Sequence, residues 1–349
     1  MLNSDFVQAL SVARKRFDRL AYSAQQLSLL VPALAAQRVL VALASGSQRI
    51  VPRDAAHEVQ RRYRRLLADD LANVEAGLYP RQLLFQFPAG TYARRLPSLV
   101  ADIPRTLRRK RVGDFADIPH VDRDRYPSYF RRAFHWQTDG YFSAHSARLY
   151  DITVEMLFLG TADVMRRQVI PPVTRLLRET AKRDARLLDI GCGTGRLLRQ
   201  LAIAQPGLRL FGVDLSPPYV QAARELLADA PEVSLAAENA ESLPYRDACF
   251  DAITSVFLFH EVPRATRRRI VSEMRRVIVP GGLLVIEDSA QLIESSDIAP
   301  TLGNFAREFH EPFYEDYLRD DLAALLGEAG FHVESVTPAF VSKVVVARA

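Results

Sequence analysis

Beyond residue 183 the chain alternates short apolar runs with amphipathic stretches, and no other feature narrows its fold as much. The runs fall at 187–190, 208–213, 233–236, 252–257, 283–286, 332–336 and 342–347, with helical spacing at 196–204 and 219–228 between them. Strands that alternate with helices lie parallel and are covered on both faces. The last two runs differ. Only a few residues separate them, Pro338 among them, which suits an antiparallel hairpin, since a parallel crossover needs about a dozen residues. The pattern predicts an α/β fold with a seven-stranded, mostly parallel sheet and an antiparallel last strand.

Ahead of the sheet the rhythm is helical. Residues 4–75 carry apolar positions at three- and four-residue spacing, as in Phe6, Leu10, Val12, Phe17 and Leu20, and again in Val59, Tyr63, Leu66 and Leu67. Residues 76–127 are punctuated by Pro80, Pro88, Pro97, Pro104 and Pro119. Each proline removes a backbone donor and disfavours helix in the residue before it, so an irregular wrap without long elements is expected there. Helical spacing returns from 143 to 177 through Leu149, Val154, Leu157 and Val164. The expected organisation is a mainly helical N-terminal region over 1–127, a helical lid or cap over 128–180 and the α/β domain over 181–349.

Composition bounds the rest. With 48% hydrophobic and 25% charged residues, the chain can bury a sizeable core. The two cysteines, Cys192 and Cys249, give no disulfide framework, and the expected location is cytoplasmic. The opening residues lack the features of a secretory signal. The longest apolar tract, 27–45, is interrupted by Pro32, Gln37 and Arg38 and falls short of the roughly 20 residues of a membrane span.

Charge is uneven. Residues 1–120 hold 19 basic against 10 acidic residues, and the remainder 27 against 31. Such an excess can serve a polyanionic partner, although a solvated helical face is the simpler expectation. No zinc-ligand spacing or RNA-binding module stands out; neither a DNA partner nor a metal is expected. The Arg- and aromatic-rich segment 78–111 is compatible with a peripheral membrane contact, with an intramolecular wrap the preferred reading. A helical region of this size is also compatible with a homodimer contact.

The chemistry concentrates in Asp189-Ile-Gly-Cys-Gly-Thr-Gly195, a strand running into a glycine-rich turn and then a helix. Gly191, Gly193 and Gly195 permit positive φ and close approach of the backbone to a ligand, and the helix start offers unpaired N–H groups. Dinucleotide folds place a third glycine one position later and seat a pyrophosphate there. Here the spacing is G-x-G-x-G with Asp189 beside it, an arrangement that repels a pyrophosphate and suits a ligand carrying an ammonium group.

This segment resembles motif I of the class I S-adenosylmethionine-dependent methyltransferases, whose sheet is Rossmann-like, and later motifs follow in that family's order. Asp214, 19 residues after Gly195, matches the acidic residue that accepts the ribose hydroxyls, with Leu215 following it. Glu238-Asn239-Ala240 resembles the segment flanking the adenine; the family usually has Asp where Asn239 stands, and the amide oxygen can still accept. Val256 and Phe257 match the positions near the methyl group. Tyr150-Asp151, Gly160 and Met165-Arg166-Arg167 narrow the resemblance to the ubiquinone and menaquinone C-methylating group, in which this region forms a lid. The resemblance implies S-adenosylmethionine as cofactor, held by Asp189, Gly191, Cys192, Gly193, Gly195, Asp214, Leu215, Asn239, Ala240 and Val256.

A carbon, nitrogen or oxygen acceptor usually loses a proton on methylation, so a base is wanted near the methyl group. His260, in the cluster Phe259-His260-Glu261, and His310 with Glu311, in the segment between the fifth and sixth strands, are the candidates; neutral histidine is a competent base near neutral pH. Tyr141, Tyr150, Phe257 and Tyr314 are expected to line the acceptor pocket or its lid. Ser216-Pro-Pro-Tyr219 resembles the tetrapeptide of base-amine methylases but follows the second strand, not the fourth, and reads as a helix start. The expected function is methylation of a small, apolar or aromatic molecule. The alternatives are an RNA or protein methyltransferase using the basic N-terminal region, and a non-catalytic S-adenosylmethionine-binding subunit.

Overall fold

The computed structural model describes residues 4–44, 51–121, 124–182, 184–230 and 232–349. Among the described residues six α-helices precede the sheet: α1 (Ser4–Ala44), α2 (Arg53–Glu75), α3 (Ala89–Val112), α4 (Ala144–Leu157), α5 (Ala162–Arg167) and α6 (Ile170–Thr180). The α/β part follows as β1 (Arg186–Ile190), α7 (Arg196–Ala204), β2 (Arg209–Asp214), α8 (Pro217–Leu226), β3 (Val233–Ala237), β4 (Phe250–Val256), α9 (Arg264–Val277) and β5 (Ile278–Ser289). It closes with α10 (Ala299–Glu308), α11 (Tyr314–Arg319), α12 (Leu322–Glu328), β6 (His332–Ala339) and β7 (Ser342–Arg348).

The seven strands form one sheet in the order β3-β2-β1-β4-β5-β7-β6. β3, β2, β1, β4 and β5 pair in parallel, and β7 runs antiparallel to both β5 and β6. Pro338 sits in β6, the edge strand, where a missing donor is tolerated. Neighbouring residues of each strand supply opposite cores. Leu187, Leu210, Leu283 and Val285 join α5, α6 and α7 on one face, while Leu188, Ile190, Ile253 and Ile286 join α9 and α12 on the other. Strand order reverses between β1 and β4, which opens a crevice at the carboxyl ends of the strands.

The N-terminal helices pack onto this body. Leu66 of α2 is buried in the first core, with Val59, Tyr63 and Leu67 against it. Asp70, fully buried, accepts from Tyr22 of α1 (2.5 Å), from Tyr79 (2.5 Å) and from Arg167 of α5 (2.6 and 2.9 Å). This carboxylate therefore ties α1, α2 and the segment after α2 to the helices over the sheet.

The expectation of an irregular stretch over 76–127 is overturned by α3, a helix that contains both Pro97 and Pro104. The two prolines lie seven residues apart, hence on one face, and that face is exposed. The carbonyls that lose their partners belong to Ala93 and Val100, also exposed, where water replaces the missing bonds. α1 forms as the spacing predicts, with Phe17 and Leu20 facing solvent, 64% and 73% exposed, while Tyr22 and Ala33 are buried. Phe6, Leu10 and Val12 lie outside the described side chains. Among the described residues no helix is long and apolar enough to cross a membrane.

Candidate active site

A cleft lies at the reversal of strand order. Its floor is the glycine turn after β1, in which Gly191, Gly193 and Gly195 have φ of +73°, +53° and +80°. The N–H groups of Gly191 and Cys192 donate to the Val213 carbonyl (2.9 and 3.0 Å), which fastens the turn to the end of β2. A Cβ at Gly195 would stand 3.0 Å from both Ala223 Cβ and Leu227 Cδ1. Gly195→Val is accordingly expected to abolish S-adenosylhomocysteine binding in a calorimetric titration and to lower the melting temperature.

Asp214 closes β2 and enters the cleft. Its Oδ2 accepts from Gly193 N (2.9 Å) and its Oδ1 from Ser216 N (2.8 Å), so each oxygen keeps a lone pair for a ligand hydroxyl. Ser216 caps α8 by accepting from Tyr219 N, as its sequence position suggests. After β3, Asn239 Oδ1 accepts from Glu241 N (2.9 Å). The amide oxygen therefore holds its own turn, and only its second lone pair faces a ligand.

Seven of the ten residues expected at the cofactor line the cleft: Gly191, Gly193, Asp214, Leu215, Asn239, Ala240 and Val256. Asp189, Cys192 and Gly195 lie just behind it. Asp189 is buried and accepts from Thr254 (2.8 Å). Burial raises its carboxyl to about 7, against the lowering effect of that hydrogen bond. Burial likewise raises Asp214 to about 6. α4 is fastened to this floor, because Thr194 in the glycine turn donates to Asp151 of α4 (2.7 Å).

Of the residues expected at the acceptor, Tyr141, Tyr150 and Phe257 line the cleft. Phe257 has a positive φ of 57°, which is strained for an aromatic residue; its ring stacks on Phe158 at 5.2 Å. Tyr314 is held elsewhere, with its hydroxyl 2.5 Å from Ser289 Oγ in a separate small core.

None of the three expected catalytic residues lines the cleft. His310 stacks on Phe115 outside it, at 4.8 Å between ring centres, and burial lowers its imidazole to about 4. His260 is buried with Nδ1 2.6 Å from Asp288 Oδ1, and Glu311 is buried behind it. The residue that does reach the cleft is Glu261. The strand β4 ends in a tight turn over Phe259–Glu261, with about three residues per turn, so adjacent residues point in quite different directions.

Glu261 heads a buried chain of alternating acid and base. Its Oε1 accepts from Tyr141 (2.6 Å) and contacts His135 Nε2 (3.0 Å). His135 Nδ1 lies 3.0 Å from Glu311 Oε1, a contact close enough for an ion pair but without hydrogen-bond alignment. Glu311 Oε2 stands 3.7 Å from His260 Nε2, and His260 ends on Asp288. Burial opposes charge on both imidazoles, but the flanking carboxylates outweigh it and hold His135 at about 10 and His260 at about 9. His135 and Asp288 were not legible as site residues, and Glu261 was visible only as the neighbour of His260.

A doubly covered sheet with a glycine turn at the switch point and an acidic residue ending the second strand defines an α/β enzyme built to hold a nucleoside-type cofactor. Comparison with known proteins specifies the class. Residues 188–286 match the model of the methyltransferase domain family. Over 180 residues the chain is 30% identical to a malonyl-[acyl-carrier protein] O-methyltransferase of Geobacter sulfurreducens, covering 49% of this chain and 67% of that protein. It is 31% identical to the ubiquinone/menaquinone biosynthesis C-methyltransferase UbiE of Methylobacterium nodulans, covering 53% and 79%. A human probable tRNA methyltransferase 9B is 38% identical over 33% of this chain and 24% of its own length. The chain belongs to the class I S-adenosylmethionine-dependent methyltransferases, and its cofactor is S-adenosylmethionine.

Proposed function

We propose that the chain methylates a small, uncharged acceptor that is apolar or aromatic. The observation that carries this reading is the lining of the cleft. Tyr129, Phe130, Phe134, Tyr141, Tyr150, Tyr219 and Phe257 surround it beside the Glu261 carboxylate, and among the described residues no Lys, Arg or His side chain lines it. Aromatic walls favour a flat apolar molecule. A carboxylate or phosphate on the acceptor would be buried beside Glu261 with no cation to pair with.

Held by the glycine turn and Asp214, the cofactor would supply a methyl group on a sulfonium to the acceptor's electron pair, leaving the thioether as the second product. The acceptor's proton goes to Glu261, whose Oε2 makes no hydrogen bond among the described residues. Labelled methyl transfer from S-adenosylmethionine into fractionated small-molecule extract tests the reading. Label found only in RNA or protein would overturn it.

The alternative, a polyanionic macromolecule held by the basic N-terminal region, has the tRNA-methylating relative in its favour. Part of that charge is already engaged, however. Arg19 pairs with Glu75, Arg62 with Glu58 and Asp297, Arg81 with Asp18, and Lys110 with Glu308.

The cofactor site also has a pH signature. In the free protein Asp189 and Asp214 protonate below about 7 and about 6, whereas a bound ammonium and ribose hydroxyls favour their ionised forms. S-Adenosylhomocysteine affinity should therefore fall as pH drops through this window, by at most about tenfold per pH unit for each group. The free protein's stability moves the other way: the contribution of these raised carboxyls is present at low pH and is lost as pH rises through the same values. Asp214→Ala should weaken binding about tenfold or more at pH 8, a change of about 1.4 kcal/mol, and should flatten the lower part of the profile. A profile unchanged in the variant would sink the assignment.

A further inference from the structure

α1 presents two faces of opposite fate. Tyr22, Gln26 and Ala33 are buried against the body of the chain, and Leu29 packs on Gly160. Phe17, Leu20, Leu27, Val31 and Leu34 are 64%, 73%, 58%, 62% and 37% exposed. At 100° per residue these two sets lie on opposite sides of the helix. With Ala24, the exposed set falls at 17, 20, 24, 27, 31 and 34, the alternating three- and four-residue spacing of a coiled-coil seam. Five of the large exposed apolar side chains of the described residues belong to this one stripe.

We propose that this stripe is the contact through which two copies of the chain pair, antiparallel, about a two-fold axis. The stripe is self-complementary, as a two-fold interface requires. Ser23, Ser28 and Ala35 flank it and are small, so two helices can approach closely. The body of the chain lies on the far side of α1, leaving the approach open. The stated exposures correspond to roughly 600 Å² per copy, or about 1,200 Å² for a pair, which clears the ~1,000 Å² of a specific interface.

Charge selects both the partner and the direction. Residues 20–37 contain no Lys, Arg, Asp or Glu, so beyond Arg19 the stripe lacks the row of cations along its length that borders helices lying on anionic lipid. Arg14, Lys15 and Arg16 lie at its N-terminal end. A parallel pair would bring the two basic clusters together, whereas an antiparallel pair sets each against residues 35–37 of the other, which carry no charge. In that arrangement residue 17 faces 34, residue 20 faces 31 and residue 24 faces 27.

Sedimentation velocity of the full chain across the micromolar range tests the proposal, beside Leu20→Glu/Leu27→Glu. The expected result is a two-chain species for the parent and a single chain for the variant, with S-adenosylhomocysteine affinity unchanged within twofold. If the glutamates prevent folding, Leu20→Ser/Leu27→Ser is scored by the same criteria. A parent that stays single at every concentration overturns the proposal, as does a folded variant that still pairs. A single-chain parent that sediments with phosphatidylserine vesicles assigns the stripe to a membrane and overturns it equally. Direction is read by mixing Leu20→Cys and Val31→Cys chains under oxidation. Cross-linking of the mixture over Leu20→Cys alone supports the antiparallel pair, and the reverse order excludes it.

Discussion

Asp70→Ala is expected to cost about 3–5 kcal/mol of folding stability, the usual penalty for removing one partner of a buried ion pair. Asp70 has no exposed surface, and its two oxygens receive Tyr22, Tyr79 and both the Nε and Nη2 of Arg167. Burial works against charge on Arg167, and Asp70 is the neighbour that restores it. Alanine would leave the guanidinium and two phenol hydroxyls buried together without their acceptor. Urea denaturation should show a lower midpoint at unchanged slope. Asp70→Asn keeps the shape but loses the charge, and should fall between parent and alanine. Because Arg167 follows Arg166, which shares Asp163 with Arg196 at the end of the glycine turn, the alanine variant should also bind S-adenosylhomocysteine more weakly. A loss below about 1 kcal/mol, typical of an exposed pair, would show that the network is not what fastens the N-terminal helices.

The strands were legible because burial on both faces leaves a nearly continuous apolar run, as in Leu187, Leu188 and Ile190, all with no exposed surface and broken only by Asp189. The glycine turn was legible because positive φ there restricts residue type, and Asp214 because it stands at the acidic position of the family that the turn resembles. α3 was not, since proline is read locally as a helix breaker, while two prolines seven residues apart on a wetted face cost the helix little. The direction of α1's apolar positions was hidden for a related reason. Periodicity reveals a stripe, but not whether the stripe meets a core or solvent. The buried acid–base chain was least legible of all. His135 and Glu261 are 126 residues apart, and no local pattern marks two side chains that meet only when the segment before α4 folds over the end of β4. Adjacent His260 and Glu261 exchange roles because the turn after β4 aims one at Asp288 and the other at the cleft.

Glu261→Gln is expected to lower the methyl-transfer rate by about 10²–10⁴, the range associated with loss of a positioned base, while S-adenosylhomocysteine affinity stays within about twofold. The amide keeps the shape and can still accept from Tyr141, but it cannot take a proton. His135→Ala probes the same carboxylate from behind. The His135 imidazolium lies between Glu261 and Glu311, with the second cation, His260, beyond Glu311 and Asp214 close enough to feel the charge of Glu261. Removing His135 leaves the Glu261 and Glu311 carboxylates facing each other without the intervening imidazole that holds Glu261 from behind. The methyl-transfer rate should then fall at least tenfold, and added imidazole, entering the space vacated by the ring, should restore part of it. Glu261→Gln should show no such rescue, because it has no proton-accepting group to reposition. This contrast separates a base and its positioning partner from two residues that merely hold the turn after β4. Equal losses in both variants without rescue of either, with cofactor binding intact, would assign the chain a structural role and leave proton removal to the acceptor itself.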